Sequence, residues 1–316
     1  MDQENSREVE TLAISKRGLA LLDETERFSR FATGFKSRRP VPTLPGVATD
    51  LSKYEAVLLD LDGTVYHEEH ALPGAVELIR RLQGHGRKYA CLTNSTSSPQ
   101  RVSARLKRMG VEVDPSHIYT AAAATADYVL EEFGPRDGMP AVFNLSTEGI
   151  HEMLEGKVRW VEREDEPCDA VICGVPLNAF ASDERRRIAM LHLRKGAQLV
   201  AICADRIYPS PRGLEFGVGA MAAMLAYAAS VEPVYCGKPE PLFFHELCRR
   251  LHVEPGRCVL VGDNLESDIA GARKVGMRTI LTLTGITRRE DASALPDEDR
   301  PDAVINDLRE LVDARL

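Results

Sequence analysis

The chain has 316 residues, of which 44% are hydrophobic and 28% charged, a balance that suits a globular protein of two domains. A net charge of −8 argues against a nucleic-acid partner while leaving room for small anionic ligands in a locally positive pocket. No apolar run reaches the roughly 18 residues of a membrane span, and the polar opening MDQENSREVE has no signal-peptide core, so no membrane partner and a cytoplasmic location are expected.

Residues 1–50 precede the first clear strand. The stretch from Glu8 to Phe31 reads as helical, with Leu12, Leu19, Leu22 and Phe28 as apolar contacts, and Pro40, Pro42 and Pro45 make a stiff linker. A surface helix and an oligomer contact both fit this extension.

AVLLD (56–60) is a buried strand. Ala75, Leu78, Ile79 and Leu82 then share one helical face. KYACLT (88–93) is a second strand. Ser98 as N-cap and Pro99 at the first helical position open a helix that buries Val102, Leu106 and Met109 and ends at Gly110. Such alternation predicts an α/β fold, a parallel sheet with helices on both faces.

A second α/β unit is expected over 120–236. Its strands are AVFNL (141–145), AVICG (170–174) and QLVAIC (198–203). Ser182 caps a helix with Ile188, Leu191 and Lys195 at helical spacing, and VGAMAAMLAYAAS (218–230) reads as a packed helix whose Met residues belong to the core. The first pattern then resumes with CVLVG (258–262), a helix from Ser267 to Val275 closed by Gly276, TILTL (279–283), AVI (303–305) and a helix around Leu308 and Leu311. The seven cysteines form no CxxC pair and read as reduced thiols.

Four segments carry chemistry. Asp60-Leu61-Asp62-Gly63-Thr64 follows the first strand. An i, i+2 spacing points both carboxylates to one side, at the strand end where open α/β sheets bind ligands. Clustered carboxylates repel unless a cation sits between them, and an all-oxygen set suits Mg²⁺. Gly63 lets the turn close tightly. Taken alone the motif fits an acidic turn equally well. Leu92-Thr93-Asn94-Ser95 ends the next strand with groups that suit either phosphate oxygens or a capping loop. Gly237-Lys238-Pro239 offers an ammonium for phosphate or for a carboxylate nucleophile, though a lone GKP is more often a surface turn. In Val261-Gly262-Asp263-Asn264-Leu265-Glu266-Ser267-Asp268, Asp263 completes a metal site, and Asp268 either caps a helix or holds a metal-bound water or Lys238.

In this order, the four segments resemble the motifs of the haloacid dehalogenase (HAD) superfamily across residues 54–316. The resemblance implies a Rossmann-like core with an inserted α/β cap domain. It implies Asp60 as nucleophile, Asp62 as general acid and base, and Thr93, Asn94 and Lys238 as phosphate-binding residues. Mg²⁺ is to be held by Asp60, the main-chain carbonyl of Asp62, and Asp263, with Asp268 supporting them.

An insert between the Thr93 and Lys238 motifs is similar to the type-2 cap of subclass IIA, which includes NagD-type, p-nitrophenyl, pyridoxal and phosphoglycolate phosphatases. The expected layout is an extension at 1–50, a core of 51–119 and 237–316, and a cap of 120–236. The substrate class so implied is a small phosphorylated metabolite, and a homodimer through the cap is a further implication. The cap departs from the branch at ICADRIYPSPRG (202–213): Asp205 fits its acidic position, while Cys203 and Ala204 do not match. Arg206, Tyr208 and Arg212 fit either a reader of the substrate's second anionic group or a solvated loop, and Asp205, Arg206 and Arg212 are the candidate specificity residues of the cap. The alternative to a phosphatase is a binding or regulatory protein on the same scaffold. Asp60, Asp62 and Lys238 are all present, which favours the enzyme, and nothing in the sequence demands a phosphomutase.

Overall fold

The computed structural model of the chain describes residues 50–134, 138–175, 182–210 and 213–316. The expected helix at 8–31 and the proline linker lie outside the described residues.

Strand β1 (Ala56–Asp60) is buried along its whole length. A short hairpin follows, β2 (Tyr66–His67) with β3 (His70–Ala71). Strands β4 (Lys88–Thr93) and β5 (Ile118–Thr120) come next. The chain then builds β6 (Ala141–Leu145), β7 (Arg159–Trp160), β8 (Ala170–Cys173) and β9 (Gln198–Ala201). A second hairpin pairs β10 (Ile207–Ser210) with β11 (Gly213–Phe216), and β12 (Val234–Tyr235) ends this stretch. Strands β13 (Cys258–Gly262), β14 (Arg278–Thr282) and β15 (Ala303–Ile305) close the series.

Two parallel sheets result. The first runs β15-β14-β13-β1-β4-β5 and the second β12-β9-β8-β6-β7. In the first, β1 is central: Leu58 lies opposite Leu260 of β13, and Asp60 opposite Leu92 of β4. The chain builds outward from β1 in both directions, so the crevice at the carboxyl ends of β1, β4 and β13 is the switch point where open α/β sheets bind ligands.

Apolar burial holds this arrangement. Val57, Leu58 and Leu59 are fully buried, each stabilising the fold by roughly 1.5–3 kcal/mol. One face of the first sheet packs Val57 and Leu59 against Leu78, Ile79 and Leu82 of the helix Ala75–Gly84. The other face joins Leu58 and Leu260 to a cluster that continues through the helix Ala121–Phe133 into the second sheet. Among the described residues no helix is long and apolar enough to cross a membrane, and the seven cysteines are free thiols.

Four local expectations need correction. Ser98 stands at the N-cap of the helix Pro99–Arg108, but its hydroxyl does not cap; it donates to Glu152 at 3.3 Å. The helix Asp183–Arg194 buries Ala189, His192 and Leu193; of the spaced set, Ile188 is half-buried against the same core, Leu191 is half-buried and Lys195 is exposed. The helix Val218–Ala229 buries only one side, leaving Met224 46% and Tyr227 91% exposed. Its alanine-rich sequence is apolar all round and gives no periodicity from which to read that side. The helix expected from Ser267 starts earlier, as a π-helical turn Leu265–Ala270 followed by Gly271–Lys274, because the Asn264 side chain accepts from the main-chain N–H groups of Glu266 and Ser267.

Candidate active site

Three neighbouring strands deliver the core of the site. β1 ends at Asp60, β4 at Thr93, and β13 runs into Asp263. Lys238 arrives from the segment that returns from the second sheet after β12, and Asp268 from the π-helical turn. All five are buried: Asp60 4%, Thr93 6%, Lys238 3%, Asp263 4% and Asp268 1% exposed.

The Lys238 ammonium donates to Asp60 Oδ1 and to Asp268 Oδ1, each at 2.6 Å. The second Asp268 oxygen accepts from the Asn264 main-chain N–H at 3.1 Å. Asp263 Oδ2 accepts from the Ile286 main-chain N–H at 2.8 Å. One carboxylate oxygen from each of Asp60, Asp263 and Asp268 falls within 4.8 Å of the others.

Three carboxylates against one ammonium leave two formal negative charges in a buried space. Burial first and Asp268 next push the Asp60 carboxyl well up, against the pull of Lys238. The same two causes push Asp263 up to about 6. Burial alone would lower the Lys238 pKa, but Asp268 and Asp60 outweigh it and raise it, so the lysine is held charged. A divalent cation matches the residual charge, and the hard oxygen donors suit Mg²⁺.

Two glycines shape this cradle. Gly63 has φ +82°, and a Cβ there would lie 2.6 Å from Asp263 Oδ2. A Cβ at Gly285 would lie 1.9 Å from the same oxygen. Only glycine at both positions leaves room for the Asp263 carboxylate.

Asp62 is placed by a mechanism different from the expected one. β1 stops at Asp60, so the i, i+2 strand geometry does not reach Asp62. A turn brings it round instead: the main-chain N–H groups of Val65 and Tyr66 both donate to Leu61 O, at 2.8 and 3.0 Å, and Gly63 N–H donates to Tyr66 O at 2.8 Å. Asp62 is exposed and stands outside the cluster of Asp60, Asp263 and Asp268. The protein mass around it still raises its pKa, with Arg105, His67 and Lys238 opposing.

Thr93 Oγ1 accepts from Ser95 N–H at 3.1 Å, which turns the loop at the end of β4. Asn94, expected on phosphate, has its amide engaged by protein: it bonds to the Asp205 carboxylate and to the main chain of Lys238. Asp205 thus reaches the edge of the site from the second sheet. Arg206 and Glu266 face each other at 3.9 Å across the mouth, both largely exposed. Tyr208 is half-buried on β10, and Arg212 lies outside the described residues.

Sequence reasoning missed two supports. The loop after β14 holds Asp263 through Ile286 and bonds Gly63 O through Thr284 Oγ1 at 2.6 Å. Arg105 pins the β2–β3 hairpin, donating to Glu68 O at 2.8 Å with its guanidinium 4.6 Å from the Tyr66 ring centroid. A polar TG after a strand and a basic residue on an amphipathic helix are too common to single these out.

The haloacid dehalogenase-like hydrolase model matches residues 57–157, and a HAD-hydrolase-like model matches residues 235–311. An acid sugar phosphatase of Staphylococcus aureus is 33% identical over 242 residues, 76% of this chain and 91% of the relative. The crystal structure of a 4-nitrophenylphosphatase from Thermotoga maritima superposes with TM-score 0.75 at 30% identity, covering 84% of this chain and 99% of the other. A glycerol phosphate phosphatase from Mycobacterium tuberculosis, solved in complex with magnesium, superposes with TM-score 0.74 at 29% identity, covering 83% and 78%. With its parallel sheets, its buried carboxylates around a lysine and these relatives, the chain belongs to the haloacid dehalogenase-like hydrolases, in subclass IIA.

Proposed function

We propose that this chain is a magnesium-dependent phosphatase that hydrolyses small phosphate monoesters, of the sugar phosphate, phosphoglycolate, nucleotide or p-nitrophenyl phosphate kind, through a phosphorylated Asp60. The observation that carries it is the Lys238 ammonium, 2.6 Å from both Asp60 and Asp268 with Asp263 in the same cluster. A carboxylate beside a fixed ammonium, at the open end of a sheet, is arranged to meet a phosphoryl group in line.

Asp60 attacks phosphorus and the ester oxygen leaves. Asp62 gives that oxygen its proton, then takes one from the water that releases phosphate from Asp60. The raised pKa of Asp62 suits the first of these tasks, since the carboxyl must arrive protonated. Thr93 Oγ1 and Lys238 Nζ bind phosphoryl oxygens. Asp60, the Asp62 carbonyl and Asp263 would hold Mg²⁺, and Asp268 steadies Lys238. The bound metal supplies positive charge against the phosphoryl oxygens and the attacking carboxylate.

Residues 51–119 and 237–316 act as the core and 120–236 as the cap that shields the site from water. Arg206 and Tyr208, at the mouth, meet the part of the substrate beyond the phosphate. Leu214 (74% exposed) and Phe216 (75%), two residues apart on β11, and Tyr227 (91%) on the helix Val218–Ala229 are exposed apolar side chains that a second copy of this chain would cover. Phe216→Asp tests that contact by sedimentation: a monomer where the parent is a dimer supports it.

The central test is phosphate release from p-nitrophenyl phosphate with and without Mg²⁺. Asp60→Asn is expected to be folded and inactive; turnover by that variant at the parent rate would remove Asp60 from the chemistry.

A further inference from the structure

Asn94 ties together three segments far apart in the chain. Its Nδ2 donates to Asp205 Oδ1 at 3.2 Å and Oδ2 at 3.1 Å, and to Lys238 O at 3.0 Å. Its Oδ1 accepts from Lys238 N–H at 2.8 Å. A primary amide has two donor hydrogens and one acceptor oxygen, so these two partners engage both faces of the group.

Asp205 is itself held rigidly. Its main-chain carbonyl accepts from Gly219 N–H at 2.8 Å, and a Cβ at Gly217 would lie 2.1 Å from that oxygen. The Cys203 thiol donates to Asp205 Oδ2 at 3.2 Å. The loop after β9 therefore presents the carboxylate in one place. An amide turned over would set its oxygen against that carboxylate and its NH₂ against the Lys238 N–H, so one orientation satisfies every partner.

We propose that Asp205 is a positioning residue: through Asn94 it fixes the main chain of Lys238 and so aims the ammonium that bridges Asp60 and Asp268. This differs from reading the substrate, the role the sequence offered for Asp205. It rests on the assignment of Lys238 to the phosphoryl site. It also makes the geometry of that site depend on the seating of a second-sheet loop upon the first.

The test compares Asp205→Ala, Asp205→Asn, Asn94→Ala and the Asn94→Ala/Asp205→Ala double variant, on p-nitrophenyl phosphate and two sugar phosphates. Asp205→Ala should lower kcat by about 10- to 100-fold, the loss of a charge-assisted hydrogen bond, by the same factor on every ester and with KM moving less. Asn94→Ala should match it, and the double variant should be no worse than the worse single. Asp205→Asn keeps a carbonyl acceptor and should recover most of the rate. Losses that multiply in the double variant would overturn the proposal. So would an Asp205→Ala enzyme whose kcat is intact and whose ranking of esters has changed, since that is the signature of a substrate reader. Thermal unfolding of the same variants gives the cycle without turnover: midpoint shifts of the single variants that fail to add support the coupling, and shifts that add sink it. Should the parent hydrolyse none of the esters, the phosphatase reading fails while the unfolding cycle still decides the coupling.

Discussion

The two sheets solve different problems with the same architecture. At the carboxyl end of the first sheet, Asp60, Thr93, Asp263, Asp268 and Lys238 are all buried and bonded to one another or to main chain. At the second sheet, the groups that face the same crevice, Arg206 and Glu266 opposite it, are exposed and 3.9 Å apart. A buried charge is costly unless paired, so the first set is fixed in geometry and fits one reaction. An exposed pair contributes little and is free to change partner, which suits a surface that sorts substrates. Asp205 is the exception, a residue of the second sheet wired like those of the first.

That contrast yields expectations that can be broken. Asp60→Asn should lower kcat by about 10⁴-fold or more with an unchanged fold, measured by phosphate release and circular dichroism. Lys238→Ala leaves Asp60 and Asp268 uncompensated. It should destabilise the chain by about 3–5 kcal/mol in the absence of metal and slow turnover by about 10³-fold, read by urea unfolding and steady-state kinetics. Gly63→Ala puts a Cβ 2.6 Å from Asp263 Oδ2 at φ +82°, and should cost about 1–3 kcal/mol and weaken the Mg²⁺ response, read by urea unfolding at increasing Mg²⁺.

The pH dependence follows from Asp263, raised from 3.8 to about 6. Its folded state binds the proton more tightly than the unfolded state. Metal-free stability from this group is therefore present below about pH 4 and is lost as pH rises through about 6. Mg²⁺ requires the ionised form, so the rise in unfolding midpoint on adding Mg²⁺ should grow across the same window. A Mg²⁺ shift that shrinks with rising pH would remove Asp263 from the metal set. The smallest effect is expected at the mouth. Arg206→Ala should leave the unfolding midpoint unchanged and raise KM for an ester with a second anionic group by less than about 10-fold. A large stability loss there would erase the distinction between the two regions.

Much of this was legible in the chain because the first sheet is buried on both faces. AVLLD, KYACLT and AVI are bounded by polar residues on continuous apolar runs, and β1, β4 and β15 begin and end where those runs do. Asp60, Thr93 and Asp263 each mark the end of such a run, but singly they fit a turn or capping loop as well; with Lys238 and Asp268 they were legible through the order of the four motifs and its resemblance to a known family. What escaped depends on loops crossing between distant segments. The turn that places Asp62, the Thr284–Ile286 support of Asp263 and the Asn94–Asp205 link are hydrogen bonds between positions with no periodic signature. The π-helical turn before Gly271 escaped because Asn264 caps it and starts it at Leu265, two residues ahead of the expected Ser267.

Lys238 stands three residues beyond β12, the last strand of the second sheet, and its main chain is clasped by Asn94 of the first. The peptide that re-enters the core therefore carries the ammonium within its first turn. Any exchange of the segment between Thr93 and Lys238 for one from another protein must keep the spacing from Val234 to Lys238, because a single inserted residue would shift the charge along with the joint.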